Sequence, residues 1–82
     1  MSTSERLLKV LSEALNRQVS ADEVDGKNLI DALGLNSIDA LEVLIRAEGE
    51  FGIQIDDEDL SINMLSSIEN LKNYVERQLL AE

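Results

Sequence analysis

Aliphatic residues recur at three- and four-residue intervals through most of this chain, and no proline interrupts them. That spacing stacks apolar side chains on one face of successive helices, whereas strands would need strict alternation. The first set is Leu7, Leu8, Leu11, Ala14 and Leu15, and Ser2 with Glu5 three residues on has the spacing of a capping box ahead of it. Residues 17–35 are less periodic and read as a long loop, with one short turn at 20–23, another at 28–33, and Gly26 and Gly34 as punctuation. A loop this long in a small domain is often functional. A second helix is expected from Asn36 or Ser37 to about Phe51. Asn36 is a favoured N-cap, Asp39 complements the helix dipole, and Gly49 and Gly52 mark a frayed end. A short third helix is expected over 57–64. The fourth opens on a capping box of Ser66 with Glu69 and carries Ile68, Leu71, Val75 and Leu79 on one face. Ile53 and Ile55 alternate too briefly to need a sheet. The expected fold class is all-α: a small four-helix bundle, three main helices plus a short third, with a long loop between helices 1 and 2.

The 82 residues make one domain, spanning 1–82, with no room for a separate catalytic one. Phe51 and Tyr74 are the only aromatic residues, so the core must be aliphatic. The absence of Cys removes disulfides, thiolate nucleophiles and zinc–thiolate sites, and the absence of His removes the Ser/His pair and any imidazole base. Catalysis is therefore not expected. A formal charge of −10 repels nucleic-acid phosphates and anionic membranes, and it speeds encounter with basic protein surfaces. No apolar run approaches a membrane span, and the first residues lack the apolar stretch of a signal peptide, so a cytoplasmic, monomeric protein is expected.

The helix beginning near Ser37 has two unlike faces. At about 100° per residue, Ala40, Leu44, Ala47 and Phe51 form a core stripe. Ile38, Glu42, Ile45 and Gly49 form a second stripe on roughly the opposite side, with Asp39 beside it. Two isoleucines on a solvent face are ordinary surface residues or the anchors of a docking surface inside an acidic ring. Charge favours docking: residues 39–59 hold eight acids and one base, Arg46, and thus −7 of the total charge.

Ser37 follows Leu33-Gly34-Leu35-Asn36 and starts that helix. Taken alone it is an ordinary first-turn serine, although unpaired N–H groups at a helix start suit a covalently attached phosphate. The run Leu33-Gly34-Leu35-Asn36-Ser37-Ile38-Asp39-Ala40-Leu41-Glu42 resembles the acyl carrier protein signature, L-G-x-D-S-L-D-x-V-E. The resemblance continues through Glu48, Glu50 and Phe51, then Ile55-Asp56-Asp57-Glu58-Asp59, and on to Ser66-Ser67-Ile68 and Tyr74. It implies a 4′-phosphopantetheine arm, moved from coenzyme A to the Ser37 hydroxyl by a phosphopantetheinyl transferase. The arm brings the thiol that this chain lacks. Its acyl thioesters would pass between acyl-transferring and chain-modifying enzymes with basic docking patches. The resemblance further implies docking through Asn36, Ile38, Asp39, Glu42, Ile45 and Glu48. It suggests an acyl pocket lined by Leu44, Ala47, Phe51, Leu60, Ile68 and Leu71, for each of which ordinary core packing is an equal alternative.

The departures from that pattern are specific. Asn36 stands in place of Asp, Ile38 in place of Leu, Gly49 where a long or acidic residue is common, and Asp56 in place of Pro. They fit a specialised carrier for a dedicated lipid or polyketide pathway as well as a main fatty-acid carrier. An aminoacyl or peptidyl carrier is a second reading. A calcium-binding or interaction module at Asp56–Asp59 is a third, although four adjacent acids lack the alternating ligands and central glycine of an EF-hand loop.

Overall fold

The computed structural model describes residues 2–56 and 62–81. Among these residues five α-helices follow one another: α1 (Thr3–Leu15), α2 (Ala21–Val24), α3 (Leu29–Leu33), α4 (Ser37–Phe51) and α5 (Ile68–Ala81). A 3₁₀ turn over Ile62–Leu65 precedes α5, and no strand occurs among the described residues. The all-α bundle is the fold that the aliphatic spacing predicts.

Local chemistry sets the boundaries. Ser2 Oγ accepts the Glu5 N–H at 3.1 Å while Glu5 Oε1 accepts the Ser2 N–H at 3.1 Å, so the α1 capping box is formed. In the long loop, Ser20 with Glu23 starts α2, and Asn28 Oδ1 accepts the N–H groups of Ile30 and Asp31 to start α3. Both short helices fall where the sequence places turns. Gly52, at φ 65°, ends α4 in the left-handed conformation that glycine adopts without a Cβ penalty.

α4 ends at Phe51 as expected, with Gly49 inside the helix and Gly52 turning the chain. Two other boundaries differ from expectation. The α5 cap is Ser67, not Ser66: Ser67 Oγ accepts the Asn70 N–H at 2.9 Å, and its carbonyl accepts the Leu71 N–H. Ser66 instead donates its N–H to the Asn63 carbonyl and closes the 3₁₀ turn. Of the short helix expected over 57–64, the stretch 57–61 lies outside the described residues, and from Ile62 the chain is 3₁₀.

α1 packs along α4 and against α5, α2 packs against α3, and the 3₁₀ turn touches α3, α4 and α5. Leu7, Val10 and Leu11 of α1 meet Val43, Leu44, Ala47 and Phe51 of α4 and Leu71 and Val75 of α5 in one core cluster. Burying each large aliphatic side chain contributes about 1.5–3 kcal/mol. Ile53 and Ile55 also turn inward, which explains their alternation without a sheet. Leu79, expected on the buried face of α5, is 37% exposed near the helix end. No charged or polar residue is buried among the described residues.

Candidate functional site

The segment from α3 to α4 is a stop, an anchor and a start. Gly34 closes α3 at φ 64°, with its N–H on the Ile30 carbonyl, and the Leu35 N–H donates to that same carbonyl at 3.0 Å. Leu35 is buried and pins the connection to the core. Asn36 then caps α4: its Oδ1 accepts the Asp39 N–H at 2.8 Å, and Asp39 Oδ2 accepts the Asn36 N–H at 3.4 Å. Asparagine caps as well as aspartate, so it keeps the helix start while removing one charge.

Ser37 follows as the first residue of α4 and is exposed. The N–H groups of Ser37 and Ile38 belong to the first turn and have no intrahelical acceptor. An oxygen-rich anion esterified to Ser37 Oγ would sit beside these donors and the positive end of the helix dipole. Hydrogen-bonded caps flank the hydroxyl on the N-terminal side and within the first turn, and its exposure leaves it open to a large partner.

The two faces of α4 separate as the sequence divides them. Ala40, Leu44, Ala47 and Phe51 are buried, and Val43 joins them. On the outer side Ile38 is 78% exposed and Ile45 53% exposed, with Glu42 exposed between them and open space around Gly49. Sequence reasoning missed Leu41, which is 48% exposed. Its spacing of three from Ile38 and four from Ile45 was the available signal, since these intervals define one apolar edge for a helix lying in a groove.

Each carboxylate of α4 is engaged within the chain. Besides Asp39, Glu42 Oε1 accepts from Arg46 Nε at 2.9 Å, and Glu48 Oε2 accepts the Ile55 N–H at 2.7 Å. Glu50 takes Arg6 Nε at 3.0 Å and Lys9 Nζ at 3.3 Å. Hydrogen bonds from Arg6, then from Lys9, hold the Glu50 carboxyl below the usual glutamate range. Glu48, placed in the docking set by its sequence position, also serves the chain reversal after α4.

Of the six residues suggested as acyl-pocket lining, five are among the described residues. Leu44, Ala47, Phe51 and Leu71 are packed in the core, and Leu60 lies outside the described residues. Ile68 borders a cleft of about 170 Å³ with Ser4, Leu8, Ala21, Val24, Asp25 and Glu69, at the α1–α2–α5 end. Asp57, Glu58 and Asp59 of the calcium reading also lie outside the described residues. Among the described ones no three ligating side chains cluster. No helix among the described residues is long and apolar enough to cross a membrane.

Residues 5–75 match the family described as the phosphopantetheine attachment site. The chain is 36% identical over 76 residues to an acyl carrier protein of Nitratidesulfovibrio vulgaris strain Miyazaki F, covering 89% of this chain and 97% of that protein. It is 28% identical over 82 residues to an acyl carrier protein of Thermotoga maritima, covering 96% and 99% respectively. An acyl carrier protein of N. vulgaris strain Hildenborough is 38% identical over 60 residues, covering 72% and 76%. No solved structure matches the chain.

Proposed function

We propose that this chain, which belongs to the acyl carrier protein family with its phosphopantetheine attachment site, carries acyl groups on a 4′-phosphopantetheine arm joined to Ser37. The observation that carries the assignment to this residue is its setting. Ser37 is an exposed hydroxyl at the start of a fifteen-residue helix, held between the Gly34 stop and the Asn36 cap. The attached group supplies a terminal thiol that holds acyl groups as thioesters. The protein is a carrier and not an enzyme, in keeping with its family, and without histidine it has no imidazole base to activate Ser37 itself.

The residues around Ser37 fit the group. The free first-turn N–H groups of Ser37 and Ile38 offer donors to a phosphodiester, and the dipole of α4 favours its charge. Among the described residues Ser37 and its neighbours Asn36 and Ile38 are all exposed. A phosphopantetheinyl transferase has room to bring coenzyme A to the hydroxyl. The Ser37 oxygen then forms the new phosphoester bond, its proton passes to a base of the transferase, and the nucleotide part of coenzyme A leaves.

Partner enzymes read the outer face of α4. Ile38, Leu41 and Ile45 provide apolar anchors, with Asn36, Asp39, Glu42 and Glu48 around them. A tether anchored one residue from this face raises the effective concentration of the acyl group at each docked enzyme. The partners proposed are the transferase and the acyl-transferring and chain-modifying enzymes of fatty-acid, lipid or polyketide-type synthesis in the cytoplasm. Residues 1–82 act as a single monomeric carrier domain. The departures at Asn36, Ile38, Gly49 and Asp56 fit a specialised carrier as well as a main fatty-acid one.

The test is loading in vitro. Incubation with coenzyme A and a broad-specificity phosphopantetheinyl transferase should add one phosphopantetheine to the wild type and none to Ser37→Ala. An unmodified wild type whose helical circular dichroism is intact contradicts the reading.

A further inference from the structure

Arg46 is the only basic residue of α4, and it is exposed one turn after Glu42, on the flank of the apolar edge formed by Ile38, Leu41 and Ile45. Its Nε donates to Glu42 Oε1 at 2.9 Å, four residues earlier, in the favourable order of acid before base. The guanidinium has five N–H donors, and among the described residues its only bond is this one through Nε. Glu42, the acid between the exposed isoleucines, therefore has its charge balanced within the helix. Among the described residues nothing takes the outer Nη edge of Arg46, which has the planar form that pairs with a carboxylate.

Of the other acids of α4, Glu50 is paired with Arg6 and Lys9, while Asp39 and Glu48 accept backbone N–H groups and keep their charge. Among the described residues, Glu42 and Glu50 are thus the α4 carboxylates whose charge a base of the chain offsets.

We infer that Arg46 is the specificity-determining residue of the docking face: it masks Glu42 from basic partners and offers its Nη edge to an acid. The matching partner surface is an apolar groove for Ile38, Leu41 and Ile45, with a carboxylate opposite Arg46. This rests on the carrier reading of Ser37 and adds to it the chemistry of the partner. A partner base placed for Glu42 must compete with Arg46 and meet its positive charge. A partner acid gains a charge-assisted contact and leaves the Glu42–Arg46 pair intact.

The test uses Ser37 loading as its readout. The probes are a phosphopantetheinyl transferase with a basic docking surface, and single Lys→Glu or Arg→Glu reversals across that surface. At low ionic strength, Arg46→Ala should load about threefold faster than wild type with the unaltered transferase, and its rate should fall more steeply with salt. At least one reversal should speed loading of the wild type and slow that of Arg46→Glu, a change of sign that isolates the pairwise contact. The proposal is overturned if Arg46→Ala loads no faster than wild type, or if every reversal slows both proteins alike. Absence of a mass gain in every protein, wild type included, instead overturns the carrier reading itself.

Discussion

Arg6 holds Glu50 at two points, donating from Nε to its carboxylate at 3.0 Å and from Nη2 to its backbone carbonyl at 2.6 Å. The same guanidinium lies 4.4 Å from the centroid of the Phe51 ring. One side chain of α1 thereby covers the last turn of α4, where the carbonyls lack intrahelical donors. The start of the first helix and the end of the proposed docking helix are fixed to each other.

Removing that clasp should loosen the end of α4 without disturbing Ser37. Arg6→Ala is expected to lower the melting temperature by a few degrees. Arg6→Lys should recover only part of the loss, because an ammonium cannot bond both acceptors in a planar fork. Thermal unfolding followed by circular dichroism measures both. Equal stability of all three proteins would show that the clasp is idle.

The acid limb of stability should carry the mark of Glu50. Its carboxyl is held low by Arg6 and Lys9 in the folded chain, so the unfolded chain binds its proton at higher pH. The resulting stabilisation is complete above the ordinary glutamate value of about 4.3 and is lost as pH falls through the lowered folded value. Urea unfolding of wild type and Glu50→Gln from pH 7 to pH 3 should show wild type ahead at neutral pH. The gap should close on acidification. A gap independent of pH would contradict the assignment.

The two faces of α4 should respond differently to truncation. Leu44→Ala removes packed core atoms and is expected to cost about 2–5 kcal/mol. Leu41→Ala and Ile45→Ala, on the exposed face, should stay within about 0.5 kcal/mol while slowing Ser37 loading. A large stability loss in either surface variant would place that side chain in the core.

Glu48 should govern the segment after Gly52. Its carboxylate accepts the Ile55 N–H at 2.7 Å, so Glu48→Ala leaves that amide without its acceptor. Hydrogen exchange at Ile55 should accelerate about tenfold or more, while amides in α1 remain protected. Unchanged exchange at Ile55 would mean that another group protects it.

Most of the helix plan was legible because its stops and starts are local. Ser2 with Glu5, Asn28, Gly34, Asn36 and Gly52 act over three or four residues, and each does what its type and position suggest. Ser66 and Ser67 were not separable that way, since either offers a hydroxyl and Glu69 suits the first. The bond from Ser66 to the Asn63 carbonyl decides the matter. Leu41 was missed because the outer stripe was followed through Glu42, although both lie on the same broad edge. Arg6 and Glu50 are 44 residues apart, and no local pattern joins them. For the candidate site, the sequence indicated the serine and its helix. The pairing of each α4 carboxylate became visible only with the chain folded.

A covalent group at Ser37 is the central claim, and one tryptic peptide tests it. Cleavage after Lys27 and Arg46 releases residues 28–46, in which Ser37 is the only hydroxyl-bearing side chain. After reaction with coenzyme A and a phosphopantetheinyl transferase, mass spectrometry should find one phosphopantetheine on this peptide and on no other. An unmodified peptide 28–46 in a reaction that loads a control carrier, or a group found on a different peptide, would contradict the claim.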